Sequence, residues 1–151
     1  MKMMFAMRIC ALTFLFVAGA VRAGPEFGYT EVYNDDGVTH FRDGMVPLSV
    51  KDYAPPAPAL AVSARYPARD VAFGKVDAEW IGDWHPAPRR QFIIVLSGTF
   101  EIEVGAGEKR TFPAGSSILL SDTEGKGHYS RVVSEEPARF LAIPLTEPIK
   151  P

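Results

Sequence analysis

Three histidines occur in the 151 residues, at positions 40, 85 and 128, and the third follows Asp122 by six residues across the turn-forming run Thr123-Glu124-Gly125-Lys126-Gly127. A carboxylate at that spacing has two chemical uses. It can accept a hydrogen bond from the imidazole of His128 and hold it as a general acid or base. Alternatively His85, His128 and Asp122 can converge on a divalent ion, since two imidazoles and a carboxylate suit zinc or ferrous iron, with Gln91 as a weak fourth ligand. Around His85 runs Trp84-His85-Pro86-Ala87-Pro88-Arg89-Arg90-Gln91. Side chains on a strand alternate between faces, so at most one of Arg89 and Arg90 turns inward. An inward arginine needs an anion, either a ligand carboxylate or an internal Asp or Glu. Arg89 is taken as the candidate ligand anchor, Gln91 as a hydrogen-bonding pocket residue and Trp84 as a pocket-mouth aromatic. His40, with Asp43 three residues on, reads as a surface hairpin pair with no assigned role. Gly125-Lys126-Gly127 lacks the following Ser or Thr and the helix of a phosphate loop.

The elements that must carry these side chains are strands. Helical periodicity is nearly absent after residue 24, and 13 Gly and 13 Pro punctuate the chain. Glu31-Val32-Tyr33 and Val38-Thr39-His40-Phe41 flank Asn34-Asp35-Asp36-Gly37 and read as a hairpin. Lys51 to Pro67 carries Pro55, Pro56, Pro58 and Pro67 and reads as an extended connector. From residue 70 short strands recur: 70–76, 90–96, 99–104, 109–112, 117–121, 128–133 and 139–145. The fold class is therefore all-β, a sandwich or small barrel. Gln91, Ile93 and Val95 share one face by period-2 alternation. Phe92 to Leu96 is apolar on both faces, which calls for a cover on the outside as well as a lined interior.

Residues 1–23 are set apart by Lys2 and Arg8, the apolar run Ile9 to Ala20 and Ala23 before Gly24, the pattern of a secretory signal peptide. This gives an N-terminal signal helix, a segment 24–69 of strands and Pro-rich connector, and a barrel over 70–147. The expected location is periplasmic or secreted, with no stable membrane insertion after cleavage. Removing residues 1–23 takes Lys2, Arg8 and Arg22, so 16 basic residues fall to 13 against 18 acidic ones, a net charge of −5. With no basic stripe, nucleic acid is not an expected partner. The one cysteine, Cys10, lies in the signal segment, which excludes disulfides, thiolate catalysis and Cys-ligated metal in the mature chain.

The chain resembles the cupin family, whose second motif, G(X)5PXG(X)2H(X)3N, matches from Gly107 through Pro113 to Gly115. The run from Trp84 to Gln91 and the run from Asp122 to His128 are similar to a secreted subgroup of small single-domain cupins with a degenerate metal motif. The resemblance implies a small cupin β-barrel of jelly-roll type. In the first motif, G(X)5HXH(X)3-4E(X)6G, His85 takes the first histidine position, Ala87 the second and Gln91 the glutamate; in the second motif, Ile118 takes the histidine and Asp122 the asparagine. No resident cofactor is favoured on that pattern. A divalent metal (Zn, Fe, Mn or Ni) through His85, His128 and Asp122 is the alternative. The expected function is binding of a small ligand, an anionic one included, by an exported protein. The alternative is isomerase- or lyase-type acid–base chemistry by His85 and His128 with Asp122. Cupins commonly form homodimers, which the resemblance extends to this chain.

Overall fold

The computed structural model describes residues 27–149; the expected signal helix lies outside the described residues. Among the described residues there are eleven strands: β1 Phe27–Asp35, β2 Val38–Val46, β3 Ser49–Lys51, β4 Leu60–Val62, β5 Ala72–Val76, β6 Gln91–Ser97, β7 Thr99–Glu103, β8 Lys109–Pro113, β9 Ser117–Leu120, β10 Tyr129–Val132 and β11 Ala138–Pro144. A six-stranded sheet in the order β2-β1-β9-β6-β11-β5 faces a three-stranded sheet in the order β10-β7-β8.

The β1–β2 hairpin closes on Asp36 and Gly37, at φ 48° and 85°. Two successive positive φ values in a two-residue loop match the right-handed twist of the strands they join, and glycine adopts one of them without a Cβ penalty. Asn34 Oδ1 accepts from the Gly37 N–H at 2.8 Å and pins the turn. β1 also runs parallel to β9, pairing Thr30 with Ile118 and Val32 with Leu120. The N-terminal hairpin is thus built into the same sheet as β6 and β9.

Between the sheets lies the core of Val32, Phe41, Val95, Phe100, Ile102, Val104, Phe112, Ile118, Leu120 and Val132. Each fully buried aliphatic side chain here contributes about 1.5–3 kcal/mol relative to exposure. The outer face of β6 is covered too. Tyr29 packs edge-on against Phe92 at 5.6 Å, and Phe27, Val46, Leu48 and Tyr66 share a groove with Phe92 and Ile94. The N-terminal strands and the connector therefore supply the outer cover. The connector is less extended than its prolines suggest: Leu60–Val62 pairs with Ser49–Lys51 as a separate two-stranded ladder, with Pro55, Pro56 and Pro58 held in the link between them.

On the same outer face Glu31 is almost fully buried. Its carboxylate accepts from Arg42 Nε at 2.6 Å and Ser121 Oγ at 2.6 Å, and Arg90 Nη2 approaches to 3.5 Å. A buried carboxylate is tolerated because these donors replace its water. The hydrogen bond to Glu31 raises the Arg42 pKa above its ordinary value. Burial, reinforced by the neighbouring Glu31, raises that of Tyr29.

Candidate functional site

The chain between β5 and β6 does not form a regular strand, yet it runs antiparallel to β10 through single bridges, Ile81 with Arg131 and His85 with His128. His85 N–H donates to His128 O and His128 N–H donates to His85 O, each at 3.0 Å. This reciprocal exchange puts the two residues directly opposite each other with side chains on one side of the sheet. Their rings lie 4.8 Å apart, centroid to centroid. The approach requires Gly127: at φ 75° its backbone suits glycine, and a Cβ there would collide with the His85 carbonyl.

Each ring is held at Nδ1. His128 Nδ1 and Asp122 Oδ2 are 2.7 Å apart, both residues buried, at 2% and 0% exposure. Asp122 is fixed in turn by its backbone, whose carbonyl accepts from Ala87 N–H at 3.0 Å. Its Oδ1 is buried with no hydrogen-bond partner among the described residues. His85 Nδ1 donates to the backbone carbonyl of Asp83 at 2.7 Å. His85 is exposed while His128 is enclosed, so one ring stands at an opening and the other inside it.

Both rings border a cavity of about 440 Å³ between the two sheets. Val76, Trp80, Ile93, Phe100, Ile118 and Phe140 form much of its wall, and its polar residues are His85, Gln91, His128 and Ser130. Phe100 and Phe140 meet edge-on at 5.9 Å. Phe140 fits because Gly74 stands opposite, where a Cβ would strike its ring. The arrangement offers an apolar chamber with a few hydrogen-bonding groups, the usual composition of a small-molecule site.

The sequence profile of the cupin domain matches residues 74–144. These residues are a cupin domain. Among solved structures, the chain is similar to a conserved protein of unknown function from Streptococcus pyogenes, with 19% identity and a TM-score of 0.38 over 53% of this chain and 65% of that one. It is also similar to the protein NMB1881 from Neisseria meningitidis, with 16% identity and a TM-score of 0.36 over 55% of this chain and 84% of that one. The chain thus spans just under two thirds of the first of these. No curated protein matches it.

Within the cupin domain, two positions where the family places metal ligands are carbon. Ala87 and Ile118 are 2% and 1% exposed, and Ile118 lines the chamber. Asp122 does not join His85 and His128 around a common point: its Oδ2 is bonded to Nδ1 of His128, across the ring from Nε2. Among the described residues no group of three His, Cys, Asp or Glu side chains is placed to hold an ion. The side chains present do not fit the family's four-ligand metal.

Of the remaining sequence candidates, Gln91 lines the chamber. Arg89 and Trp84 do not. Arg89 is exposed, in the bend that precedes β6, and is not part of the chamber wall. Arg90 is the arginine that finds an internal carboxylate, Glu31, but on the outer face of the sheet. Trp84 packs 6.1 Å from Tyr129 and carries Lys126 Nζ 3.7 Å from its ring centroid. Trp80 and not Trp84 reaches the chamber. Ser130 was missed, although the signal was available: it lies two residues after His128 and so shares its face of β10.

Proposed function

We propose that this cupin-domain protein is exported and holds a small, uncharged, largely apolar ligand in its barrel chamber. The observation that carries the reading is the lining: apolar and aromatic side chains interrupted by His85, Gln91, His128 and Ser130, with no Asp, Glu, Lys or Arg among them. An anionic ligand would meet no lysine or arginine there, which favours a neutral molecule over the anion expected from the sequence. The charge pattern and apolar run of residues 1–23 support export. The test is titration of the full chain with the neutral fluorophore N-phenyl-1-naphthylamine. Saturable binding of one probe per chain is expected, and Ser130→Phe, which fills the chamber, is expected to remove it. Non-saturable binding, or binding that survives in a folded Ser130→Phe variant, defeats the reading.

A second reading, acid–base catalysis, is favoured by one observation, the buried 2.7 Å bond from His128 to Asp122. A carboxylate that fixes the tautomer of an imidazole prepares it as a general base. Exchange of solvent deuterium into a bound, enolisable ketone, lost in His128→Gln, is the result expected of an enzyme.

A further inference from the structure

The two histidines are restrained in the same sense. A backbone carbonyl can only accept, so His85 Nδ1 carries its ring proton toward Asp83 O at 2.7 Å. A carboxylate accepts in the same way, so in the neutral ring of His128 the proton sits on Nδ1, against Asp122 Oδ2 at 2.7 Å. Each neutral ring is thereby left with Nε2 as an unprotonated acceptor, and neither Nε2 has a hydrogen-bond partner among the described residues. The rings are 4.8 Å apart, centroid to centroid, and both border the chamber. The rest of the wall includes the aromatic side chains Trp80, Phe100 and Phe140.

We infer that the chamber selects for a hydrogen-bond donor on an aromatic frame, and that the ligand class is an uncharged phenol and not an aryl ether, ester or ketone. This rests on the small-ligand reading above and adds the polarity of the group it recognises. A phenolic O–H donates its one proton to the Nε2 of one of the two imidazoles, whereas an ether oxygen placed there sets lone pair against lone pair and donates to neither.

The test compares 2-naphthol with 2-methoxynaphthalene by calorimetric titration of the full chain at pH 7, where the naphthol is un-ionised. The naphthol is expected to bind at least about tenfold more tightly, the scale of one good hydrogen bond at a desolvated site. Equal or tighter binding of the methyl ether overturns the inference while leaving the small-ligand reading intact. Binding of neither removes both. In Asp122→Asn the carboxamide can donate to Nδ1 and move the His128 proton to Nε2. The naphthol-to-ether affinity ratio is then expected to fall at least threefold, and an unchanged ratio counts against the inference. Should that variant not fold, His85→Phe, at the exposed ring, is expected to lower the same ratio, and an unchanged ratio has the same meaning.

Discussion

His85 and His128 exchange both of their backbone hydrogen bonds, each at 3.0 Å, although one lies in an irregular segment and the other immediately precedes β10. The pairing makes the two rings a unit at the chamber, yet it gives them unequal structural debts. His128 is 2% exposed and bonded to a fully buried carboxylate. His85 is exposed and bonded only to a backbone carbonyl.

His128→Ala is accordingly expected to destabilise the fold by about 3 kcal/mol, because it strands Asp122 as a buried, unpaired charge. His85→Ala is expected to cost under about 1 kcal/mol. Thermal unfolding of both variants measures the difference. The double variant His128→Ala/Asp122→Ala should recover part of the loss, since the charge leaves with its partner; a double variant no more stable than His128→Ala contradicts this account.

Gly127→Ala is expected to destabilise by about 2–3 kcal/mol, combining a left-handed backbone for a residue with a Cβ and a collision with the His85 carbonyl. Gly107→Ala has a comparable φ of 86° but open space around the Cβ, so it should cost about 1 kcal/mol, the backbone part alone. Equal losses in the two variants, measured by denaturant unfolding, would show that the close approach at His85 carries no energetic weight.

The outer-face carboxylate gives an independent test. Glu31→Gln keeps the shape but loses the charge on the bonds from Arg42 and Ser121, and is expected to cost about 2 kcal/mol, near the middle of the range for hydrogen bonds to charged groups. Arg42 is 58% exposed in its side chain, so Arg42→Ala should cost less, about 1 kcal/mol. Ligand binding in the chamber is expected to be unchanged in both, because this cluster lies on the other face of the sheet.

Metal analysis of the purified protein is expected to find well under one equivalent of transition metal per chain. The reason is the replacement of ligand positions by Ala87, Gln91 and Ile118 and the engagement of Asp122 with His128. Stoichiometric zinc, iron, manganese or nickel that survives dialysis, and is lost in both His85→Ala and His128→Ala, would instead establish a two-histidine metal site.

The sequence by itself was enough for the strand pattern and its punctuation. Glycine turns and period-2 alternation mark β5 to β11 to within a residue or two, because both are local properties of the chain. The shared face of Gln91, Ile93 and Val95 and the six-residue link from Asp122 to His128 were legible for the same reason. What alternation supplies is parity within a strand, and it stops where the strand stops. Parity carried back from Gln91 would turn Arg89 inward, but β6 begins at Gln91 and the chain bends through residues 88–90, which releases Arg89 to solvent. The same irregularity decides between the tryptophans: bridges to β10 at Ile81 and His85, not a continuous strand, determine that Trp80 borders the chamber and that Trp84 lies under Lys126. The direct opposition of His85 and His128, and the meeting of Glu31 with Arg90 and Ser121, join residues far apart in the chain. Strand pairing within the large sheet assembles the Glu31 cluster, and the close approach at Gly127 assembles the histidine pair; no spacing along the chain encodes either.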